Sequence, residues 1–273
     1  MIAQRLWSWL AAVVTLVVLA NSASAQHLTP FIPPDYFDPD LQFFAPAEVD
    51  YFDDPAPPTT GWFFTYDRMA WDVSRAENAP RPYELDSAWG NRFDMGFMTE
   101  DQGGWLFNLT HLDGPTGGNG ALRGALTSVE LNRVFRFDPL PHNCIIEPFI
   151  GLRYLRYDDE GEFPFQNPVY NNILAGQLGV RAWKNIGLWK TSAELRSFNG
   201  VNWQWYREDD FSEFMPGGEI RADLQYNLTR DVSLRVGWEG LFFFDGVGRN
   251  NDYFNNCQSV YMQGLTFGFA VNR

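Results

Sequence analysis

Apolar and polar side chains alternate along much of the chain between residues 173 and 239. In residues 219–226 every second side chain is apolar and the intervening ones are polar, and residues 189–196 and 232–239 repeat the pattern. Because successive side chains of a β-strand point to opposite faces, each segment predicts a strand with one apolar and one polar face.

Ten such strands are predicted after residue 60, with eight or twelve as alternatives. Several approximate the 9 to 11 residues that a tilted membrane strand needs. They are expected at residues 61–73, 91–98, 104–112, 125–137, 145–157, 172–183, 188–198, 218–227, 232–244 and 259–272.

The connections between these strands alternate in length. Short turns are expected at residues 138–143, 184–187 and 228–231, and long loops at residues 158–171, 199–217 and 245–258. Bacterial barrels have short periplasmic turns and longer outer loops. The pattern therefore predicts an all-β, transmembrane, antiparallel up-and-down barrel with both termini in the periplasm.

A secreted β-sandwich also has alternating strands and is the soluble alternative. Three features favour the barrel: alternation over successive strands of near-membrane length, alternating connection lengths, and glycines on the polar face, which suit a crowded interior. These glycines are Gly151, Gly179, Gly237, Gly264 and Gly268.

The first residues predict export. Arg5 precedes an apolar stretch at residues 10–20, and an A-x-A motif predicts signal cleavage after Ala25. Residues 26–60 contain eight prolines and seven acidic residues but no Lys or Arg, which predicts an acidic, Pro-rich periplasmic tail. Residues 61–273 are the predicted barrel, so we expect the bacterial outer membrane, within the cell envelope, as the location.

Charge and composition narrow the class further. The formal charge of −14 argues against nucleic acid as a partner, since phosphate binding needs basic patches. An aromatic content of 17% with a mean hydropathy of −0.29 fits a barrel, because alternation averages its hydropathy. Cys144 and Cys257 are placed at opposite rims by this topology, so two unpaired thiols are expected.

Six strand-like segments also carry a family resemblance. They are residues 61–68, 128–133, 147–157, 177–183, 217–226 and 264–271. In this order they resemble the family-seven group of β-barrel porins of bacterial outer membranes, over most of the chain after residue 60. The resemblance implies an outer-membrane barrel with porin activity and brings no catalytic residues.

The last predicted strand resembles the signal that outer-membrane barrels present to the barrel assembly machinery. The signal is a glycine followed by two aromatics, here Gly264, Phe267 and Phe269. Met262 stands where a polar residue is expected, and the chain ends on Arg273, so the match is partial.

If the apolar face of each predicted strand contacts lipid, its polar face lines the lumen. The charged lumen residues are then balanced, with six basic and six acidic side chains, so we expect ion pairs between neighbouring strands. Because eight strands leave space only for side chains and open channels need 16 to 18, the lumen of about ten strands should be largely filled. The predicted residues are Glu130, Glu147, Arg153, Arg181, Lys190, Glu194, Arg196, Glu219, Arg221, Asp223, Arg235 and Glu239, with Asn132, Gln177 and Gln225 beside them.

These features predict a narrow porin for small ions or solutes, or a structural barrel, with outer-membrane lipid and the assembly machinery as partners. The alternative is a surface interaction protein that uses acidic outer loops and keeps the barrel as an anchor. The loop carboxylates could also bind Ca²⁺ or Mg²⁺. They are Asp158, Asp159, Glu160, Glu162, Glu208, Asp209, Asp210 and Glu213.

A hydrolase at the outer rim is the least favoured alternative. His111 and Asp113 could form an oriented base there, but the sequence shows no activated nucleophile beside them. No enzyme activity is therefore predicted, and no catalytic, cofactor or metal site.

Overall fold

The computed structural model describes most of the chain after residue 59. The described residues are 60–74, 85–114, 123–140, 144–159, 169–206, 209–229, 231–244, 246–247 and 259–272. Residues 1–59 and Cys257 lie outside these ranges. The signal sequence, its cleavage after Ala25, the acidic tail and the unpaired state of Cys257 therefore stay predictions.

None of the described residues belongs to a helix that is both long and apolar enough to cross a membrane.

Ten antiparallel strands form a closed barrel in which each strand pairs with its neighbours in the chain and β1 pairs with β10. The predicted fold class and strand number are confirmed. Because the first and last strands pair, the sheet closes on itself along the paired lengths of the described strands. The strands are β1 (Gly61–Ser74), β2 (Leu85–Met98), β3 (Gly103–Leu112), β4 (Arg123–Phe135), β5 (Cys144–Asp159), β6 (Val169–Ile186), β7 (Trp189–Tyr206), β8 (Asp209–Asn227), β9 (Val232–Phe243) and β10 (Val260–Asn272).

The two ends of the barrel differ in their connections. The turns after β2, β4, β6 and β8 define the short-turn end, and the connections after β1, β3, β5, β7 and β9 define the long-loop end. One predicted loop, residues 199–217, is wrong: β7 and β8 continue through it to residues 206 and 209. β2 and β6 likewise begin earlier than predicted, at Leu85 and Val169.

Pro216 explains why the β8 extension resembles a loop in the sequence. The β8–β9 ladder ends at the pair Gly217–Phe243, and the Pro216 carbonyl accepts a hydrogen bond of 3.1 Å from the Phe244 amide. The polar groups of Pro216 therefore face the β9 side just where that ladder stops. A proline is tolerated there because no regular ladder bond requires its missing N–H.

The face directed away from the barrel axis is apolar and exposed. Leu178 is 60% exposed and Leu195 is 58% exposed, and Trp189, Leu224 and Val236 are exposed as well. An apolar surface that continues round a barrel is what hydrocarbon requires and what water disfavours.

Several aromatic residues on this face lie at the short-turn end. Here Trp62 contacts Phe97, and Trp189 contacts Tyr226, with ring centroids 5.1 and 4.8 Å apart. Such girdles mark the membrane–water boundary of barrels. We call the set the aromatic girdle; it comprises Trp62, Phe97, Trp105, Phe135, Phe137, Trp189 and Tyr226.

Glycines on the inner face make room for large rings on the neighbouring strand. Phe198 lies opposite Gly217 in the β7–β8 ladder, and a Cβ at Gly217 would come within 2.1 Å of its ring. Phe149 is paired in the same way with Gly179. The phenyl groups thus occupy the space that a side chain on the opposite strand would need.

Gly217→Ala should therefore destabilise the barrel by about 1–3 kcal/mol through overpacking against Phe198. The matched control is Gly176→Ala, because a Cβ at Gly176 meets nothing within 4 Å. Its effect should be neutral or slightly stabilising. Urea unfolding of protein refolded in lipid vesicles measures both, and equal midpoints for the two variants would contradict the packing described.

The barrel interior as candidate functional site

Charged side chains from eight strands or their ends meet inside the barrel in one connected set of ion pairs, the ion-pair network. Seven arginines and eight carboxylates take part. The arginines are Arg92, Arg136, Arg153, Arg181, Arg196, Arg221 and Arg235, and the carboxylates are those of Asp67, Asp94, Glu130, Glu147, Glu194, Glu219, Asp223 and Glu239.

Several pairs join strands that are not neighbours. Arg153 on β5 reaches Glu219 on β8 at 2.6 Å, and Arg196 on β7 reaches Glu130 on β4 at 2.5 Å. Neighbouring strands also pair, as Arg181 and Glu194 do at 2.6 Å. The expectation of neighbour pairing is thus incomplete, because the longest side chains bridge the bore itself.

All twelve predicted lumen residues have inward-facing positions in the structure. Eleven belong to the ion-pair network. Lys190 instead lies with its Nζ 4.3 Å from the centroid of the Trp183 ring, a cation–π contact. Among their predicted neighbours, Gln177 donates hydrogen bonds to Asn132 at 2.5 Å and to Glu130 at 2.9 Å.

Four network residues were not predicted from the sequence: Asp67, Arg92, Asp94 and Arg136. Arg92 contacts Asp67 at 2.7 Å and also pairs with Glu239 across the bore. The signal was present, because Arg92 and Asp94 alternate with Phe93 and Met95. On β1, by contrast, both faces mix polar and apolar residues, so the inward position of Asp67 had no comparable signal.

A second level of the interior, the apolar layer, lies at the long-loop end. Each of the ten strands contributes at least one buried apolar side chain. The apolar layer comprises Met69, Trp71, Val73, Ala88, Leu112, Leu126, Leu155, Tyr157, Ile173, Ala175, Phe198, Met215, Leu241, Phe243, Val260 and Met262, together with Val247.

The prediction that the apolar side chains of the strands face lipid is therefore wrong for the residues of this layer, which face the interior. At the centre of the layer, Phe243 contacts Phe198 and Tyr157, with centroids 5.9 and 6.1 Å apart. The Arg153 guanidinium lies 4.7 Å from the centroid of the Phe198 ring and joins the layer to the ion-pair network. Phe198 itself has no solvent-exposed surface.

The short-turn end is more open. A cavity of about 80 Å³ lies there, with Arg136, Glu147, Arg181 and Lys190 among its lining residues. The Arg181 side chain is 22% exposed, so water reaches this side of the network. A volume of this size holds only a few water molecules.

A smaller apolar cluster closes the β1–β5 side of the same end. Met98, Leu106, Val134 and Phe149 are buried there, and Phe63 packs against them. The Arg196 guanidinium lies 5.2 Å from the centroid of the Phe149 ring, so the ion-pair network is bounded by an aromatic ring on this side too.

His111, the candidate rim base, lies on the outer face and has two side-chain contacts. Its Nε2 is 3.3 Å from Asp113 Oδ1, and its Nδ1 is 3.0 Å from Thr127 Oγ1. Thr127 is the hydroxyl that the sequence did not identify. His111 and Thr127 are directly opposite each other in the β3–β4 ladder. The absence of enzyme activity stays a prediction.

Three of the eight predicted acidic loop residues, Glu160, Glu162 and Glu208, lie outside the described part of the chain. The other five belong to strands: Asp158 and Asp159 end β5, and Asp209, Asp210 and Glu213 lie in β8. Asp158 accepts a 3.0 Å hydrogen bond from Arg156. No cluster of three or more potential metal-binding side chains occurs in the described ranges. Metal binding stays a prediction.

The structure also describes Cys144 and the residues of the predicted assembly signal. Cys144, at the start of β5, is a free thiol. Gly264, Phe267 and Phe269 lie on β10, and the two phenyl rings point outward and are exposed. Recognition by the assembly machinery stays a prediction.

A closed barrel with an apolar exterior and a charged interior is the fold of an outer-membrane β-barrel protein. No protein-family model matches the chain, and no curated protein sequence does. The porin family assignment therefore stays a prediction.

Solved structures with a similar fold include Neisserial surface protein A, with 14% identity over 80% of this chain and 100% of that chain and a TM-score of 0.36. The outer membrane protease OmpT from Escherichia coli has 8% identity over 81% and 100% of the two chains and a TM-score of 0.47. The translocator domain of the autotransporter NalP from Neisseria meningitidis has 11% identity over 82% and 91% and a TM-score of 0.42. At these identities the likeness concerns the fold alone.

Arg92→Met should destabilise the barrel by about 3–5 kcal/mol, because it leaves buried carboxylates with a lost partner. Arg156→Met is the matched control: its side chain is 50% exposed and pairs with Asp158, so its loss should cost about 1 kcal/mol or less. Denaturant unfolding in vesicles compares the two. A similar small effect of both would show that the network does not contribute to stability as described.

Proposed function

We propose that the protein is a structural barrel of the bacterial outer membrane, with an interior closed to solutes. The apolar layer is the observation that carries this proposal, because every strand contributes to it. A full cross-section of apolar side chains opposes the passage of water and ions, as hydrophobic constrictions in channels do.

The ion-pair network supports the same proposal. A passing ion would have to compete with pairs such as Arg153–Glu219 and Arg196–Glu130, which cross the bore at 2.6 and 2.5 Å. Buried charges that lose a partner are costly, so the network resists opening. A narrow porin, the activity that the family-seven resemblance implies, would require both the apolar layer and the ion-pair network to rearrange.

The shape of the wall favours a second role, surface interaction at the long-loop end. β7 and β8 have 18 and 19 residues, against 12 for β9. The β8–β9 ladder ends at Gly217, so residues 209–216 of β8 extend beyond the regular ladder with that neighbour. β6 pairs with β7 almost to its end, at Tyr170–Trp205, so β6, β7 and β8 together extend beyond the β9 side of the rim. This part of the wall is suited to contact a partner outside the membrane.

Planar-bilayer recording tests the closed interior. Purified protein inserted into the bilayer should give no steady open-channel current, because the apolar layer and the network block the bore. An open porin inserted under the same conditions is the positive control. A steady current that scales with the amount of inserted barrel would establish the narrow porin instead.

Fractionation of the cell envelope tests the location. The protein should appear in the outer-membrane fraction, and unboiled samples should migrate differently from boiled ones on a denaturing gel, because a closed barrel resists detergent unfolding. Recovery in the soluble fraction, with one gel mobility before and after boiling, would contradict the membrane assignment.

A further inference from the structure

Arg133, on the outer face of the barrel, differs from the interior arginines in its partners. Each of the seven interior arginines lies within 4.0 Å of a carboxylate. Arg133 lies on the outer face of β4, and no described carboxylate forms an ion pair with it. Its described contacts are with aromatic rings instead, so a formal charge on the lipid-facing side has no countercharge within the described protein.

Two members of the aromatic girdle hold the Arg133 guanidinium. Its Cζ lies 5.3 Å from the centroid of the Trp105 ring and 5.7 Å from that of the Phe135 ring. Arginine is suited to this environment because its planar, weakly hydrated guanidinium stacks on aromatic faces and keeps its hydrogen-bond donors free.

The guanidinium is also directed towards the membrane boundary. A Cβ at Gly103 would lie 2.6 Å from Arg133 Nη2, so the guanidinium occupies the space above this glycine. Gly103 is the first residue of β3 and pairs with Phe135, the last residue of β4. The charge therefore reaches the end of the sheet, where the girdle places the lipid headgroups.

The residues around this position are apolar and exposed. Leu131 and Ile150 flank Arg133 on the lipid-facing side and are each more than half exposed. A lipid whose acyl chains cover these side chains brings its phosphate to the height of the guanidinium. The two elements of a lipid site, an apolar face and a charge at its edge, are thus adjacent.

We propose that the Arg133 guanidinium, held over Gly103 by Trp105 and Phe135, binds the phosphodiester of a phospholipid at the short-turn end. The fork of guanidinium N–H groups suits the oxygens of a phosphate group. The acyl chains would lie against Leu131 and Ile150. The proposal rests on the membrane location proposed above.

Native mass spectrometry of the full-length protein in detergent tests the site, with phosphatidylglycerol as the added lipid. Arg133→Gln should weaken retention of one lipid about fivefold, the ratio that corresponds to about 1 kcal/mol per basic residue at an anionic lipid surface. Gly103→Ala should also weaken retention, because it displaces the guanidinium while keeping its charge. Arg156→Gln, which removes an exterior arginine paired with Asp158, should retain lipid as the unchanged protein does.

Equal lipid retention by the unchanged protein and Arg133→Gln would overturn the proposal. Competition by inorganic phosphate would also overturn it, since the site would then take a free anion rather than a lipid. The difference between boiled and unboiled gel mobility shows that each variant is folded. Loss of that difference in the unchanged protein would refute the membrane barrel itself, whereas failure of the lipid site leaves it intact.

Discussion

The pairing of buried charge is the constraint on which the rest of this barrel depends. Seven arginines enclosed by ten strands would be prohibitively costly to desolvate without nearby carboxylates. Pairs such as Arg153–Glu219 and Arg196–Glu130 satisfy them by crossing the bore. The same contacts that allow charge inside the barrel therefore also close it, so stability and the absence of a wide channel have one physical origin.

Large rings mark the limits of this charged region. Phe198 faces Arg153 towards the long-loop end, and Phe149 faces Arg196 on the other side. Each ring lies over a glycine of the neighbouring strand, Gly217 or Gly179. A ring of this size fits a ten-stranded interior only where its neighbour has no side chain. The glycines thus determine where the interior changes from ion pairs to apolar packing.

The strand number, the antiparallel order and the faces of residues such as Ile220 and Arg221 could be predicted, because their alternation has a strict period of two. The apolar layer could not. Met215 and Phe243 are apolar and face inward, and a pattern of apolar and polar residues does not state which face meets lipid. The extent of β8 was also hidden, because Pro216 and the acidic residues before it resemble a loop until the end of the β9 ladder is known.

The two ends of the interior differ chemically, and they therefore differ in their access to solvent. Leu155, Phe198 and Leu241 exclude solvent at the long-loop end, whereas the charged cavity beside Arg181 admits it at the short-turn end. Water and small ions can therefore approach the ion-pair network from one side only. Any opening of the barrel must displace the apolar layer, since solvating the network from the short-turn end leaves that layer in place.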